Sequence, residues 1–193
     1  MSNTSNLSKS VFKDALKNRA NDKSNRADLK HYTKLLQAAY CDEWVAVYQY
    51  SIESDFLLKL NTTNLVSDKA YNQITKELIK HTQEEFNHAK LLVPELYKIG
   101  SEPIYQIDML QLSSNGQLLI PETNQDIILN QAIEAETNAI KVYTELLKFA
   151  NAAGVTNQHF VDTLKFILDQ EKEHKSDLEK LLKEFNVEER IRW

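Results

Sequence analysis

With one cysteine, three glycines and three prolines in 193 residues, the chain has few of the residues that staple or turn a small fold. Cys41 alone excludes a disulfide framework, a four-cysteine zinc or iron centre and a CxxC redox motif. It points instead to a reducing compartment. The scarcity of glycine and proline excludes a sandwich or barrel, which needs turn residues at short, regular intervals. No apolar run approaches the ~18 residues that a membrane span requires. The polar first residues carry no apolar stretch of the signal-peptide kind, so the expected location is cytoplasmic.

What remains is a charged, helix-forming chain, 26% Asp, Glu, Lys and Arg, with a net charge of −5. That charge is unevenly spread. Residues 1–27 hold Lys9, Lys13, Lys17, Arg19, Lys23 and Arg26 against Asp14 and Asp22, a net of +4, which leaves −9 on the rest. A loosely held basic arm over 1–27 and one helical domain over 28–193 are expected.

Four helical repeats follow in the domain. The first steps through Leu29, Tyr32, Leu36, Ala39, Glu43, Ala46, Tyr50, Ser54, Leu57 and Leu60, and Asn61-Thr62-Thr63-Asn64 should stop it. The second starts near Ser67 or Asp68, either a good N-cap, and runs through Tyr71, Ile74, Leu78, His81, Glu85, His88, Leu92 and Leu96 to Gly100. Pro94 should kink its last turns or end it early. Residues 101–123, punctuated by Pro103, Ser113-Ser114-Asn115-Gly116 and Pro121, read as a long connection. The third helix takes Leu129, Ala132, Glu136, Ala139, Tyr143, Leu146 and Ala150. The fourth, with Thr156 as its expected cap, takes Phe160, Leu164, Ile167, Glu171, His174, Leu178, Leu181 and Phe185.

Each apolar seam is interrupted near its middle by Glu. The second and fourth helices add His three residues later, as Glu85-x-x-His88 and Glu171-x-x-His174. The first and third add Tyr seven residues later, Glu43 to Tyr50 and Glu136 to Tyr143. In each helix pair the two Glu residues lie about equally far from the turn that joins them, so antiparallel packing puts them at one height. The long connection then has to join two parallel helices over about 39 Å. Its 23 residues reach that far at ~3.3 Å each. The pattern predicts an all-α four-helix bundle with a long crossover between helices 2 and 3.

Four carboxylates and two imidazoles on core-facing seams cannot be left uncompensated. Two divalent cations cancel the charge, and carboxylate and imidazole donors suit iron or manganese. Glu43, Glu85, His88, Glu136, Glu171 and His174 are therefore the candidate catalytic and metal-binding residues for two metal ions. Two of the Glu would bridge them. Tyr50 and Tyr143 are candidate hydrogen-bond donors to the carboxylates of the opposite half. Asp28-x-x-His31 has the same spacing but lies off the seam, as an ordinary solvated pair does. Glu84, Glu134 and Glu173 also lie off the seams and are expected to face solvent.

Over residues 29–186 the sequence resembles the ferritin-like superfamily, most closely its bacterioferritin and Dps-like branch. Glu-Glu-Phe-Asn-His-Ala-Lys-Leu-Leu (84–92) and Asp-Gln-Glu-Lys-Glu-His-Lys-Ser-Asp-Leu (169–178) look like that branch's two Glu-x-x-His helices, and Glu136, Ala139 and Tyr143 like its third helix. The resemblance implies a ferroxidase centre with two Fe ions per subunit, oxidising Fe(II) with O2 or H2O2 inside a homo-oligomeric storage cage. Phe86 stands where bacterioferritins place a haem-ligating Met, so no haem is expected. Ala139 replaces the extra carboxylate of rubrerythrins, and one Cys cannot supply the pair found in archaeal Dps-like proteins. The same six residues would also serve a non-storage peroxidase, manganese catalase or oxygenase. DNA binding, or a bundle in which metal serves stability only, is the weaker reading, because +4 over 27 residues is a modest charge. No membrane partner is expected.

Overall fold

The computed structural model describes residues 23–62, 69–116, 118–153 and 157–191. Among them are five helices: α1 (Lys23–Thr62), α2 (Lys69–Lys98), α3 (Ile107–Ser113), α4 (Gln125–Ala153) and α5 (Gln158–Ile191). The four long ones are the four repeats of the sequence, and α3 lies within the crossover. No strand occurs among the described residues. None of their helices is long and apolar enough to cross a membrane.

The helix ends show where local chemistry overrode periodicity. α1 begins at Lys23, five residues ahead of the expected boundary at Asp28; the rest of the basic arm, residues 1–22, lies outside the described residues. So do the expected caps Ser67, Asp68 and Thr156, and Gly154. α5 is capped by Asn157, whose Oδ1 accepts from the Phe160 amide at 3.0 Å. Asn124 caps α4 in the same way, accepting from the amides of Asp126 and Ile127 at 2.9 and 3.1 Å. α2 does not end at Pro94 but continues to Lys98. It closes on Gly100, whose φ of 79° lets the Ser101 amide reach Leu96 O and its own amide reach Tyr97 O, at 2.9 and 3.1 Å.

Two apolar clusters fill the ends of the bundle. One joins Tyr32 and Leu36 of α1, Leu92 and Leu96 of α2, Leu146 and Ala150 of α4, and Phe160 and Leu164 of α5. The other joins Tyr50 and Leu57 of α1, Ile74 and Leu78 of α2, Ile128 and Leu129 of α4, and Leu178 and Phe185 of α5. The start of α1 thus packs on the end of α2 and α4, so α1 runs antiparallel to both. α2 and α4 are parallel, which is why the crossover must travel the length of the bundle. Each fully buried Leu or Ile in these clusters contributes roughly 1.5–3 kcal/mol. That burial offsets the desolvation of the polar groups that lie between the clusters.

The crossover is tied down along α1. Leu110 of α3 is buried. Asp42 accepts from Ser114 Oγ and the Asn115 amide, both at 2.5 Å, and from Asn115 Nδ2 at 2.8 Å. Further along, Gln49 Oε1 accepts from the Leu119 amide at 2.7 Å.

Candidate metal centre

Between the two apolar clusters, Glu43, Glu85, His88, Glu136, Glu171 and His174 converge, each 3% exposed or less. Their ligand atoms form two compact groups. Glu43, Glu85, His88 and Glu171 lie within 4.8 Å of one another, and so do Glu85, Glu136, Glu171 and His174. Glu85 and Glu171 belong to both. α2 and α5 therefore supply the shared carboxylates, while α1 and α4 supply one carboxylate to each end.

Both imidazoles turn Nδ1 inward. His88 Nδ1 is 2.9 Å from Glu85 Oε2, 2.9 Å from Glu171 Oε1 and 3.4 Å from Glu43 Oε2. His174 Nδ1 is 3.1 Å from Glu85 Oε1, 3.7 Å from Glu136 Oε2 and 4.0 Å from Glu171 Oε2. Outward, His88 Nε2 donates to Gln170 Oε1 at 3.0 Å and His174 Nε2 to Glu84 Oε2 at 2.9 Å. An amide or carboxylate oxygen only accepts, so each Nε2 carries a proton, which leaves Nδ1 as the nitrogen able to ligate a metal.

Glu84 lies off the seam and is expected at the surface, but the fold places it otherwise. It is half-buried and holds His174 across the α2–α5 contact. Gln170 does the same for His88 in the other direction. The signal was present in the repeat: each is the residue immediately before the Glu of a Glu-x-x-His. Glu134 and Glu173 are exposed. His31 is on the surface, 3.1 Å from Glu145.

The two tyrosines reach across the bundle. Tyr50 of α1 donates to Glu136 Oε1 of α4 at 2.5 Å, and Tyr143 of α4 donates to Glu43 Oε1 of α1. Burial and the neighbouring carboxylates, Glu136 for Tyr50 and Glu43 for Tyr143, hold both phenols well above their ordinary pKa, so both remain donors. Beside them a cavity of about 90 Å³ lies between α1 and α4 under the crossover. Glu43, Glu85, Glu136 and Glu171 line it, together with Gln49 and Glu53. Glu53, which periodicity did not single out, is buried, accepts from Gln49 Nε2 at 2.6 Å, and is pushed by burial to a pKa of about 7.

Metal-free, protons do the compensating. Burial, then the charge of Glu85, raises Glu43 from 4.5 to about 8, and burial with Glu85 and Glu43 raises Glu171 further. Burial also works against ionising Glu85, but hydrogen bonds from His174 and His88 outweigh it and hold this carboxylate below its ordinary range. Burial opposes a charge on His174 as well, yet Glu136 and Glu85 raise it to about 10, and Glu171, Glu43 and Glu85 raise His88 likewise. One atom is left over. Glu171 Oε1 is buried with no hydrogen bond, since its 2.9 Å approach to His88 Nδ1 lacks the geometry of one. An acceptor orphaned among six ligand-type side chains fits a bound cation, and an oxygen-rich set with two imidazoles fits iron or manganese.

Comparison with known proteins agrees with the geometry. The sequence profile of the Ferritin family, a Ferritin-like domain, matches residues 33–187. A DNA protection during starvation protein of Pyrococcus furiosus is 30% identical over 158 residues, covering 80% of this chain and 78% of that protein. Among solved structures, a dodecameric thioferritin, the bacterioferritin-related protein of Bacteroides fragilis, aligns with a TM-score of 0.71. Its identity is 24%, over 84% of this chain and 90% of that one. A bacterioferritin of Desulfovibrio desulfuricans, solved with its diiron site in different catalytic states, aligns with a TM-score of 0.64 at 17% identity over 83% of each chain. By the profile and the Pyrococcus relative, with six ligand-type side chains gathered on its four long helices, the chain belongs to the ferritin family.

Proposed function

We propose that this protein is a ferroxidase that binds two Fe ions within each subunit and oxidises Fe(II) with O2 or H2O2. The observation that carries the reading is the pair of four-residue groups sharing Glu85 and Glu171. In this reading Glu43, Glu85, His88 and Glu171 would hold one ion and Glu85, Glu136, Glu171 and His174 the other, with Glu85 and Glu171 common to both sets. A pair of Fe(II) ions held there would supply two electrons to the oxidant.

The protein's own groups hold that pair in shape. Tyr143 and Tyr50 fix the terminal carboxylates, and Gln170 and Glu84 fix the imidazoles, so the ligand atoms are oriented before metal arrives. The apolar clusters on either side exclude bulk water. The cavity under the crossover is large enough for a small oxidant and touches the carboxylates of both groups. The protons held on Glu43, Glu171, His88 and His174 leave when metal binds.

A homo-oligomeric cage that stores the oxidised iron completes the proposal. The dodecameric assembly named for the Bacteroides neighbour supports it. Manganese suits the same ligands, and a small oligomer that retains only two ions per chain would mark a peroxidase, catalase or oxygenase instead. DNA binding would rest on the basic arm, most of which lies outside the described residues.

The test is Fe(II) oxidation followed by absorbance, with metal content per chain, on the parent and on a Glu85→Gln, Glu171→Gln variant. The variant keeps shape but removes two of the four carboxylate charges. It should lose bound iron and oxidation together. A parental rate in the variant overturns the reading.

A further inference from the structure

Where α2 packs on α5, a second group of ligand-type side chains lies beside the six. His81 stands one turn before Glu85 on the seam of α2 and is fully buried. Its ring stacks on that of His174, with centroids 4.1 Å apart. Neither ring nitrogen has a hydrogen-bond partner. Nε2 approaches Glu77 Oε1 to 3.2 Å, but not in hydrogen-bond geometry. A buried polar atom left this way costs on the order of 1–3 kcal/mol, a cost that a ligand removes.

Asp177 of α5 completes the group, and the ligand atoms of Glu77, His81 and Asp177 lie within 4.8 Å of one another. The two carboxylates are about a quarter exposed, at 24% and 25%, so this group opens to the surface while the six-residue cluster does not. A cation is already drawn there. The Lys80 ammonium is 2.9 Å from Glu77 Oε1 and 3.4 Å from Asp177 Oδ2, and Lys180 is 2.8 Å from Asp177 Oδ1. Pairs at this exposure are worth roughly 0–1 kcal/mol, little enough for a divalent ion to displace Lys80.

We propose that Glu77, His81 and Asp177 form a third metal site, taking a divalent transition-metal ion through His81 Nε2 and one oxygen from each carboxylate. One imidazole nitrogen and two carboxylate oxygens, with water completing the shell, suit Fe(II), Mn(II) and Zn(II). Open to the surface through Glu77 and Asp177 and joined to His174 through the stacked ring, the site is a loading position for the centre. That role rests on the ferroxidase reading; the metal site itself does not.

The test uses Zn(II) on crystals of the metal-free, full-length protein, read by anomalous scattering at the zinc edge. A peak at about 2.0–2.2 Å from His81 Nε2 is expected, apart from the pair at the six-residue centre. Asp177→Asn and Glu77→Gln should each weaken this site by roughly tenfold or more, since loss of even an outer-shell partner of a metal costs about 10–100-fold. Lys80→Gln removes the ammonium that both carboxylates share and should fill the site at a several-fold lower Zn(II) concentration. No peak at His81 in either the parent or Lys80→Gln overturns the proposal and leaves the paired centre standing. A peak that survives both carboxylate variants unchanged overturns it too. Zinc at His81 with none at the six-residue centre would leave the third site and remove the ferroxidase reading.

Discussion

The two sides of the candidate metal centre are built differently. On the α1–α4 side each helix contributes a single carboxylate, held by a tyrosine from across the bundle, with the cavity and the crossover beyond. On the α2–α5 side each helix contributes a carboxylate and an imidazole, backed by the charged or amide side chain of the residue before the Glu. One side is lined by neutral donors and a space that suits a small oxidant. The other is crowded with titrating groups and ends in a surface cluster that suits a cation. Nearly the same pseudo-twofold repeat thus yields two faces with different surroundings, because the residues flanking the six ligand-type side chains differ.

The strongest way to break this comparison is to remove the neutral donors. Tyr50→Phe and Tyr143→Phe each strip a buried carboxylate of its donor without changing ring volume. Metal affinity should fall about 10–100-fold in each, and by similar factors, because the two contacts are related by the repeat. Metal titration checks this. A large loss in one variant and none in the other would mean that the two ends are not equivalent. Glu84→Gln, on the opposite side, keeps an acceptor for His174 Nε2 and should cost less than either.

A smaller effect separates the two shared carboxylates in the metal-free protein. Glu85 is the ionised partner of His88 and His174, whereas Glu171 is held protonated by burial and its neighbours. Glu85→Gln removes the counter-charge of two buried imidazolium groups and should lower the melting temperature, by the equivalent of about 1–3 kcal/mol. Glu171→Gln exchanges one neutral group for another and should leave the melting temperature unchanged or raised. Equal melting of the two variants would show that the protons are arranged otherwise.

The last expected effect is on pH. Glu43 is raised from 4.5 to about 8 and His174 from 6.5 to about 10, so the folded state holds protons that the unfolded chain has released. The stability Glu43 supplies is complete below pH 4.5 and is lost as pH rises through about 8; that from His174 is complete below 6.5 and lost through about 10. The metal-free protein should therefore melt lower at pH 9 than at pH 6. With metal bound the trend reverses, since binding then competes with fewer protons. Scanning calorimetry with and without Mn(II) at several pH values measures both slopes. A metal-free slope of the opposite sign would contradict the proton arrangement.

Much of the fold was legible because seams repeat. Stepping by three and four from Tyr71 through Leu96 puts Glu85 and His88 among core positions without any knowledge of the partner helices. Glu84 and Gln170 escaped that method because each lies one position off the seam and reaches its partner only across the α2–α5 contact. His81 was on the seam, but nothing in its spacing revealed that both its ring nitrogens would lack partners. α3 is not legible in the sequence, since seven residues between turn signals are too few to show a helical period. Pro94 signals a kink or an early end, yet α2 runs through it to a glycine whose closing bonds suit a helix end better.

What the sequence determined by itself was therefore which side chains face inward and at what height: six ligand-type residues, two tyrosines and the direction of each helix. Those depend on the 3.6-residue period and on turn chemistry, both local properties. The tertiary structure alone decided that Glu85 and Glu171 are the shared carboxylates, that both histidines turn Nδ1 inward, and that Glu77, His81 and Asp177 meet. Such facts depend on how the helices sit against one another. That is set by the packing of the two apolar end clusters, each of which joins residues from all four long helices.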